Sequence, residues 1–172
     1  MSPVVEVVRT YLELRSPSQL RAEPLEDPRV RFVRRNAISP ADYRRLYQRV
    51  GERWQWKDRN AWSDDRLASH LARPAVSVWE CFVGDETAGF FELERHDHDA
   101  SVEIAYFGLI DEFMGRGVGR AMLVRAAQEA WALSPQRVWL HTCTLDSPRA
   151  LPNYRARGFE PYRTETYVVQ LP

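Results

Sequence analysis

The sequence predicts an α+β (mixed α/β) protein in which one sheet packs against several helices. Three observations carry that prediction. Residues 76–110 hold three strand-like runs, "VSVWECFVG", "TAGFFELERH" and "SVEIAYFGLI", parted only by short "DE" and "DHDA" turns, the pattern of an antiparallel meander. Two earlier segments open on a serine followed by a first-turn proline or by acids, as helix N-termini do. A long amphipathic run then follows a glycine cluster at 115–119.

Taken in order, residues 3–14 ("PVVEVVRTYLEL") are rich in β-branched residues and read as a strand. "SPSQLRAEPLEDP" carries three prolines in thirteen residues and reads as an exposed connection, so residues 1–29 form a strand plus a proline-rich loop. "VRFVRRNA" reads as a second strand. Ser39 and Pro40 supply the cap and first-turn proline of a helix running through about Val50. Ser63 caps the next helix, with Asp64 and Asp65 in its first turn. After the meander a helix is expected from about Gly117 to Leu133. Met122, Ala126, Ala130 and Leu133 would share one face, with Leu123 and Ala127 beside it. "RVWLHTCTL" is a further strand, "SPRALPNYRARG" a short helix that Pro152 is expected to bend, and "EPYRTETYVVQL" a closing strand. The order is β-β-α-α-β-β-β-α-β-α-β, without internal repeats, and residues 1–172 are expected to form a single domain.

Composition narrows the function. Hydrophobic residues are 44% and charged residues 28%, as in an ordinary globular chain, and the formal net charge is zero. Bulk attraction to nucleic acid or to an anionic membrane is therefore not expected. Cys81 and Cys143 form no CxxC pattern and are expected to be reduced. Glu6 and Arg9 interrupt the apolar start, and no stretch approaches the ~20 apolar residues of a membrane span, so a cytoplasmic location is expected.

"FMGRGVGRAML", residues 113–123, carries the strongest functional signal. Backbone N–H groups at a helix start lack partners, and the helix dipole makes that end electropositive. Glycines let several N–H groups converge on one anion and clear away the Cβ atoms that would block it. A dinucleotide fingerprint would need glycine where Arg120 stands, and a P-loop would need Gly-Lys-Ser/Thr, which is absent. A glycine-rich turn that merely caps a helix is the ordinary alternative.

The run Met114-Gly115-Arg116-Gly117-Val118-Gly119 resembles the acyl-CoA signature Gln/Arg-x-x-Gly-x-Gly/Ala of the general N-acetyltransferase (GNAT) superfamily, departing at Met114. Three further features agree in offset. "VEIAYFGL" places Glu103 on the preceding strand; "YRARGF" supplies Tyr154, Gly158 and Phe159 in the family's Tyr-x-x-x-Gly-Phe pattern; and Ser147-Pro148-Arg149-Ala150 matches Asn-x-x-Ala with serine for asparagine. The resemblance is strongest over residues 100–160 and extends weakly back to about 30.

The resemblance implies a central, mostly antiparallel twisted sheet that splays around an acyl-CoA site, flanked by helices. It implies an acetyl-CoA-dependent N-acetyltransferase acting directly on a primary amine, with acetyl-CoA as co-substrate and no metal. Backbone at Phe107, Gly108 and Leu109 would hold the thioester and pantetheine. Gly115, Arg116, Gly117, Val118, Gly119 and Arg120 would hold the pyrophosphate, with Ser147 and Asn153 nearby. Glu103 is the candidate base. Alternation puts it on a face with Ala105, Phe107 and Leu109, where an apolar setting raises a carboxyl pKa; a solvated strand-end glutamate is the alternative. Tyr154 is the candidate acid, against a tyrosine that simply packs its helix on the sheet. Eight arginines in 114–163 against three acids, and ten acids in 80–112 against Arg95, suit a CoA end and a cationic-amine end. A catalytically inactive acyl-CoA sensor or interaction domain is the rival reading, resting on Met114 and Ser147. The amine remains open between a small molecule and a peptide, as does homodimer formation.

Other features are discounted. "HDHD", His96 to Asp99, falls at an expected hairpin turn without further ligands nearby in sequence. His141 and Cys143 are i, i+2 strand neighbours, and direct transfer needs no covalent enzyme intermediate, so His141 is kept only as a reserve base. Trp54, Trp56 and Trp62 crowd "WQWKDRNAW" beside Asp58 and Arg59. This region helps form the acceptor pocket in the superfamily, and aromatics with one acid suit an organic amine; anchoring a loop on the core is the equal alternative.

Overall fold

In a computed structural model of the chain, which describes residues 3–171, seven strands form one sheet in the order β2-β3-β4-β5-β6-β1-β7. The strands are β1 (Val4–Leu14), β2 (Val30–Arg34), β3 (Val76–Val83), β4 (Glu86–His96), β5 (Ser101–Leu109), β6 (Arg137–Cys143) and β7 (Glu160–Gln170). The helices are α1 (Pro40–Gly51), α2 (Asp64–Leu71), α3 (Val118–Trp131) and α4 (Ala150–Ala156). This is the expected order of elements, and every strand pairing is antiparallel except β5 with β6.

Local chemistry explains the helix starts. The Ser39 hydroxyl accepts from the Asp42 N–H at 3.1 Å, and the Ser63 hydroxyl from the Arg66 N–H at 3.2 Å. In α3 the inner face is Met122, Leu123, Ala126, Ala127 and Ala130, all fully buried. Leu133 does not join it: α3 stops at Trp131, Ser134 turns at φ 57°, and Leu133 is exposed. Pro152 lies in the first turn of α4, where its missing N–H has no partner inside the helix.

The two sheet faces carry different helices. On one, Tyr43 of α1 bonds Glu92 of β4. On the other, Arg125 of α3 lies over Trp79 of β3, which stacks on Phe91, and Tyr154 of α4 meets Phe107 of β5 edge-on at 5.9 Å. Two irregularities in β5 shape everything functional. Its pairing with β4 slips by one residue, so that Leu93 faces Ile104 but Glu92 faces Tyr106, leaving Ala105 as the extra residue of a bulge. The bulge overturns the simple alternation: Glu103 shares its face with Tyr106, while Phe107 and Leu109 turn to the α3 side. Then β5 and β6 part company. They pair only at Ser101–Arg137, Val102–Val138 and Glu103–Trp139, and beyond Glu103 the sheet splits.

Candidate active site

The split opens into a cavity of about 620 Å³. One wall is β5 from Glu103 to Leu109; the opposite wall comes from β1, β6 and β7. The α3 glycine loop and α4 close one end, and the segment between α1 and α2 closes the other.

At the α3 end, Gly115 (φ 76°) and Gly117 (φ 81°) occupy the left-handed region that disfavours side-chain-bearing residues. Gly117 is the residue before the first turn of α3 and brings no side chain to cap it. The first intrahelical bond is made by the Ala121 N–H to the Gly117 carbonyl at 3.1 Å, so the preceding N–H groups are available to an outside anion. Arg120 lines the cavity, is held by Glu23 at 2.8 Å, and has a buried Nε without a partner. Arg149 approaches from the loop before α4, its Nη1 3.0 Å from where a Gly115 Cβ would lie. Asn153 ties α4 to this corner by donating to the Gly119 carbonyl at 3.3 Å. A bare helix start ringed by guanidinium groups fits a pyrophosphate.

Glu103 and Tyr154 both face the cavity, as do Phe107, Gly108, Leu109, Gly115, Gly117, Gly119, Arg120, Ser147 and Asn153. Val118 does not: its side chain is buried in the core. Arg116 lies over the Phe113 ring instead, 5.6 Å from its centre. Trp54, Trp56 and Asp58 line the end of the cavity formed by the segment between α1 and α2, whereas Trp62 sits behind it, with the Arg59 guanidinium 4.1 Å from its ring centre. Met114 lines the cavity as well, so its departure from the signature stands at the site itself.

Burial pushes the Glu103 carboxyl above its ordinary pKa, and the His96 ring, bonded to it at 2.9 Å, pulls the other way. Burial raises the Tyr154 phenol, which therefore stays protonated at neutral pH. His141 presents its exposed surface to the cavity. Burial of the rest of the ring and the neighbouring Arg9 charge lower its pKa, keeping the imidazole neutral. Burial raises the Cys143 thiol and takes it away from thiolate reactivity.

The strand pairing also brings together groups that the linear sequence separated. Glu94, His96 and Glu103 have ligand atoms within 4.8 Å of one another, so "HDHD" does find two carboxylates, from its own strand and from across the β4–β5 hairpin. Glu92, fully buried, accepts from Tyr43 at 2.5 Å and Arg59 at 2.9 Å, and lies 2.7 Å from His70. Arg59 in turn lies 5.1 Å from the Tyr106 ring centre. This ionic knot backs Tyr106 on the cavity wall. Its sequence signal is Glu92 inside the otherwise apolar run "AGFFEL".

A mostly antiparallel sheet, opened at one parallel seam and fronted by a glycine turn, frames this site. The Acetyltransferase (GNAT) family matches residues 42–159, and the chain belongs to that family. Members of this family are acyltransferases. Solved structures share the fold. A GCN5-related N-acetyltransferase from Kribbella flavida superposes with a TM-score of 0.65 at 16% identity over 98% of this chain and 60% of its own. An aminoglycoside acetyltransferase from an uncultured soil metagenomic sample gives 0.63 at 13% identity over 76% and 88%. A functionally unknown conserved protein from Staphylococcus epidermidis gives 0.63 at 14% identity over 97% and 62%. This chain thus spans less than two thirds of the first and last of these proteins. At such identities the likeness concerns the fold alone. No curated protein matches the sequence significantly.

Proposed function

We propose that the chain transfers an acetyl group from acetyl-CoA directly to a primary amine. The observation that carries this reading is the meeting of Glu103, Tyr154 and the α3 cradle on one cavity at the split between β5 and β6. When bound, acetyl-CoA supplies an activated acyl carbon and a thiolate leaving group.

An alkylamine with a pKa near ~10.4 is an ammonium at neutral pH and must lose a proton before it can attack. Glu103 accepts that proton, directly or through one water, and its raised pKa makes it a better base than a solvated carboxylate. As the new N–C bond forms and the C–S bond breaks, Tyr154 donates its phenolic proton to the departing sulfur. Backbone N–H groups at the start of α3, with Arg120 and Arg149 beside them, hold the pyrophosphate. Phe107 and the edge of split β5 hold the pantetheine arm, and Trp54, Trp56 and Asp58 border the amine.

The sensor reading rests on Met114 and Ser147. Neither removes a backbone N–H from the cradle, and both leave Glu103 and Tyr154 on the same cavity, so the catalytic reading is preferred. Tyr154→Phe tests it. Turnover should fall at least tenfold in a thiol-release assay while acetyl-CoA affinity, measured by calorimetry, stays within about threefold. An unchanged turnover would remove Tyr154 from the mechanism.

A further inference from the structure

The cavity wall built from β1, β6 and β7 has no part in the chemistry above, and Arg9 stands on it. Its Cα pairs with Cys143 on one side and Glu165 on the other. Its guanidinium donates to the Tyr167 hydroxyl at 3.2 Å and lies 5.0 Å from the centre of that ring, contacts that leave the positive charge without a counter-charge. Glu165, the acid nearest in register, is engaged by the Tyr11 hydroxyl and by Arg163. Among the described residues no carboxylate comes within 4.0 Å of Arg9, whereas Arg59 and Arg120, which line the same cavity, are paired with Glu92 and Glu23. The Arg9 Nε is buried with no hydrogen-bond partner at all. A half-buried guanidinium that faces a cavity without a charged partner is a ready site for an anion.

The opposite end of the same opening carries Glu94 and Glu103. Glu103 pairs with Trp139 and Arg9 with Cys143, four residues further along β6, or about 13 Å of strand. The cavity therefore carries Glu94 and Glu103 at one end and the Arg9 guanidinium at the other, with Asp58 and Asp146 also on its lining. We propose that the acceptor is an amino carboxylate whose amine and carboxylate lie several bonds apart, with the amine at Glu103 and the carboxylate on Arg9. The inference rests on the transferase reading and gives the acceptor its class and its direction. A guanidinium fork suits a carboxylate better than a point charge would. An α-amino acid is too short to engage both ends, because its two charged groups share one carbon.

The test compares n-pentylamine, 1,5-diaminopentane and 5-aminopentanoate, matched in length and differing at the far end. Rates are measured by thiol release, and affinities by calorimetry on the full chain saturated with CoA, where no transfer occurs. The expected result is a kcat/KM and an affinity for 5-aminopentanoate at least tenfold above those for the other two amines. In Arg9→Met that preference ratio should collapse toward one; Arg9→Lys, which keeps the charge should Met impair folding, should retain part of it. Equal use of all three amines, or a preference that survives Arg9→Met, overturns the inference while leaving the transferase reading in place. Absence of turnover with every amine counts against the transferase reading alone. The CoA-complex affinities still decide whether Arg9 selects a carboxylate.

Discussion

Glu92 offers a sharp test of how the cavity wall around Tyr106 is held. Its carboxylate has no exposed surface, and its partner Arg59 is nearly as enclosed, with Tyr43 and His70 completing the set. In Glu92→Leu the Arg59 guanidinium, which already has a buried unpaired Nη1, would lose the one carboxylate that pairs with it among the described residues. Breaking a buried pair from one side costs about 3–5 kcal/mol. With a urea dependence of about 2 kcal/mol per molar for a domain of this size, the unfolding midpoint should fall by about 2 M. The double variant Arg59→Met/Glu92→Leu removes both charges together and should recover most of that loss. Urea unfolding followed by tryptophan fluorescence measures all three proteins. The reasoning is refuted if Glu92→Leu costs under 1 kcal/mol, or if the double variant is no more stable than the single one. A functional consequence goes with it. Arg59 backs Tyr106 and Trp62, so variants that remain folded should show a raised KM for amine with acetyl-CoA affinity preserved.

Two further outcomes follow from the site. Glu103→Gln should lower turnover about 100-fold and flatten the acid limb of the pH–rate profile. In the wild type that limb should rise at a pH above the ordinary carboxylate range of about 4.3, since only ionised Glu103 accepts a proton. A folded-state pKa raised by burial contributes stability that is complete below the unfolded value and lost as pH climbs through the folded one, so Glu103→Gln should gain stability relative to wild type at neutral pH, seen as a higher urea midpoint. Gly117→Ala should cost about 1–2 kcal/mol from its left-handed backbone, because the added methyl meets only the flexible Leu25 and Arg120 side chains. It should also weaken acetyl-CoA binding about tenfold by calorimetry. Gly84→Ala, at φ +62° with open space around it, should lose similar stability with no change in that affinity.

Much of this architecture was legible in the sequence because its signals are local. Ser39 and Ser63 act within three residues of themselves, strand alternation is written along each strand, and the glycines of the α3 loop announce their own backbone. What failed to show depends on partners far along the chain. The bulge at Ala105 comes from its register with β4, and one extra residue was enough to move Glu103 away from the face of Phe107 and on to that of Tyr106. Val118 sits inside the glycine motif, yet the turn of α3 carries its side chain into the core. Arg59 and Glu92 lie 33 residues apart, and Arg9 is separated from Tyr167 by 158, so no window along the sequence could pair them. Trp62 illustrates the middle case: its neighbourhood was recognised, but whether it bordered the cavity or braced Arg59 was decided by packing alone.

The position of β1 between β6 and β7 has a consequence for how the chain reaches this state. Glu13 and Arg137, joined in the finished sheet, are 124 residues apart, so β1 leaves the ribosome long before either of its neighbours exists. Until then "VVEVVRTYLEL" is a β-prone segment with both edges open, held back from self-association by Glu6, Arg9 and Glu13. Pairings of such span make for slow folding, and the last strands to be synthesised must capture the first. Replacing Arg9 removes one of the three charges on that strand, so a fall in soluble yield is the outcome expected of Arg9→Met on this account.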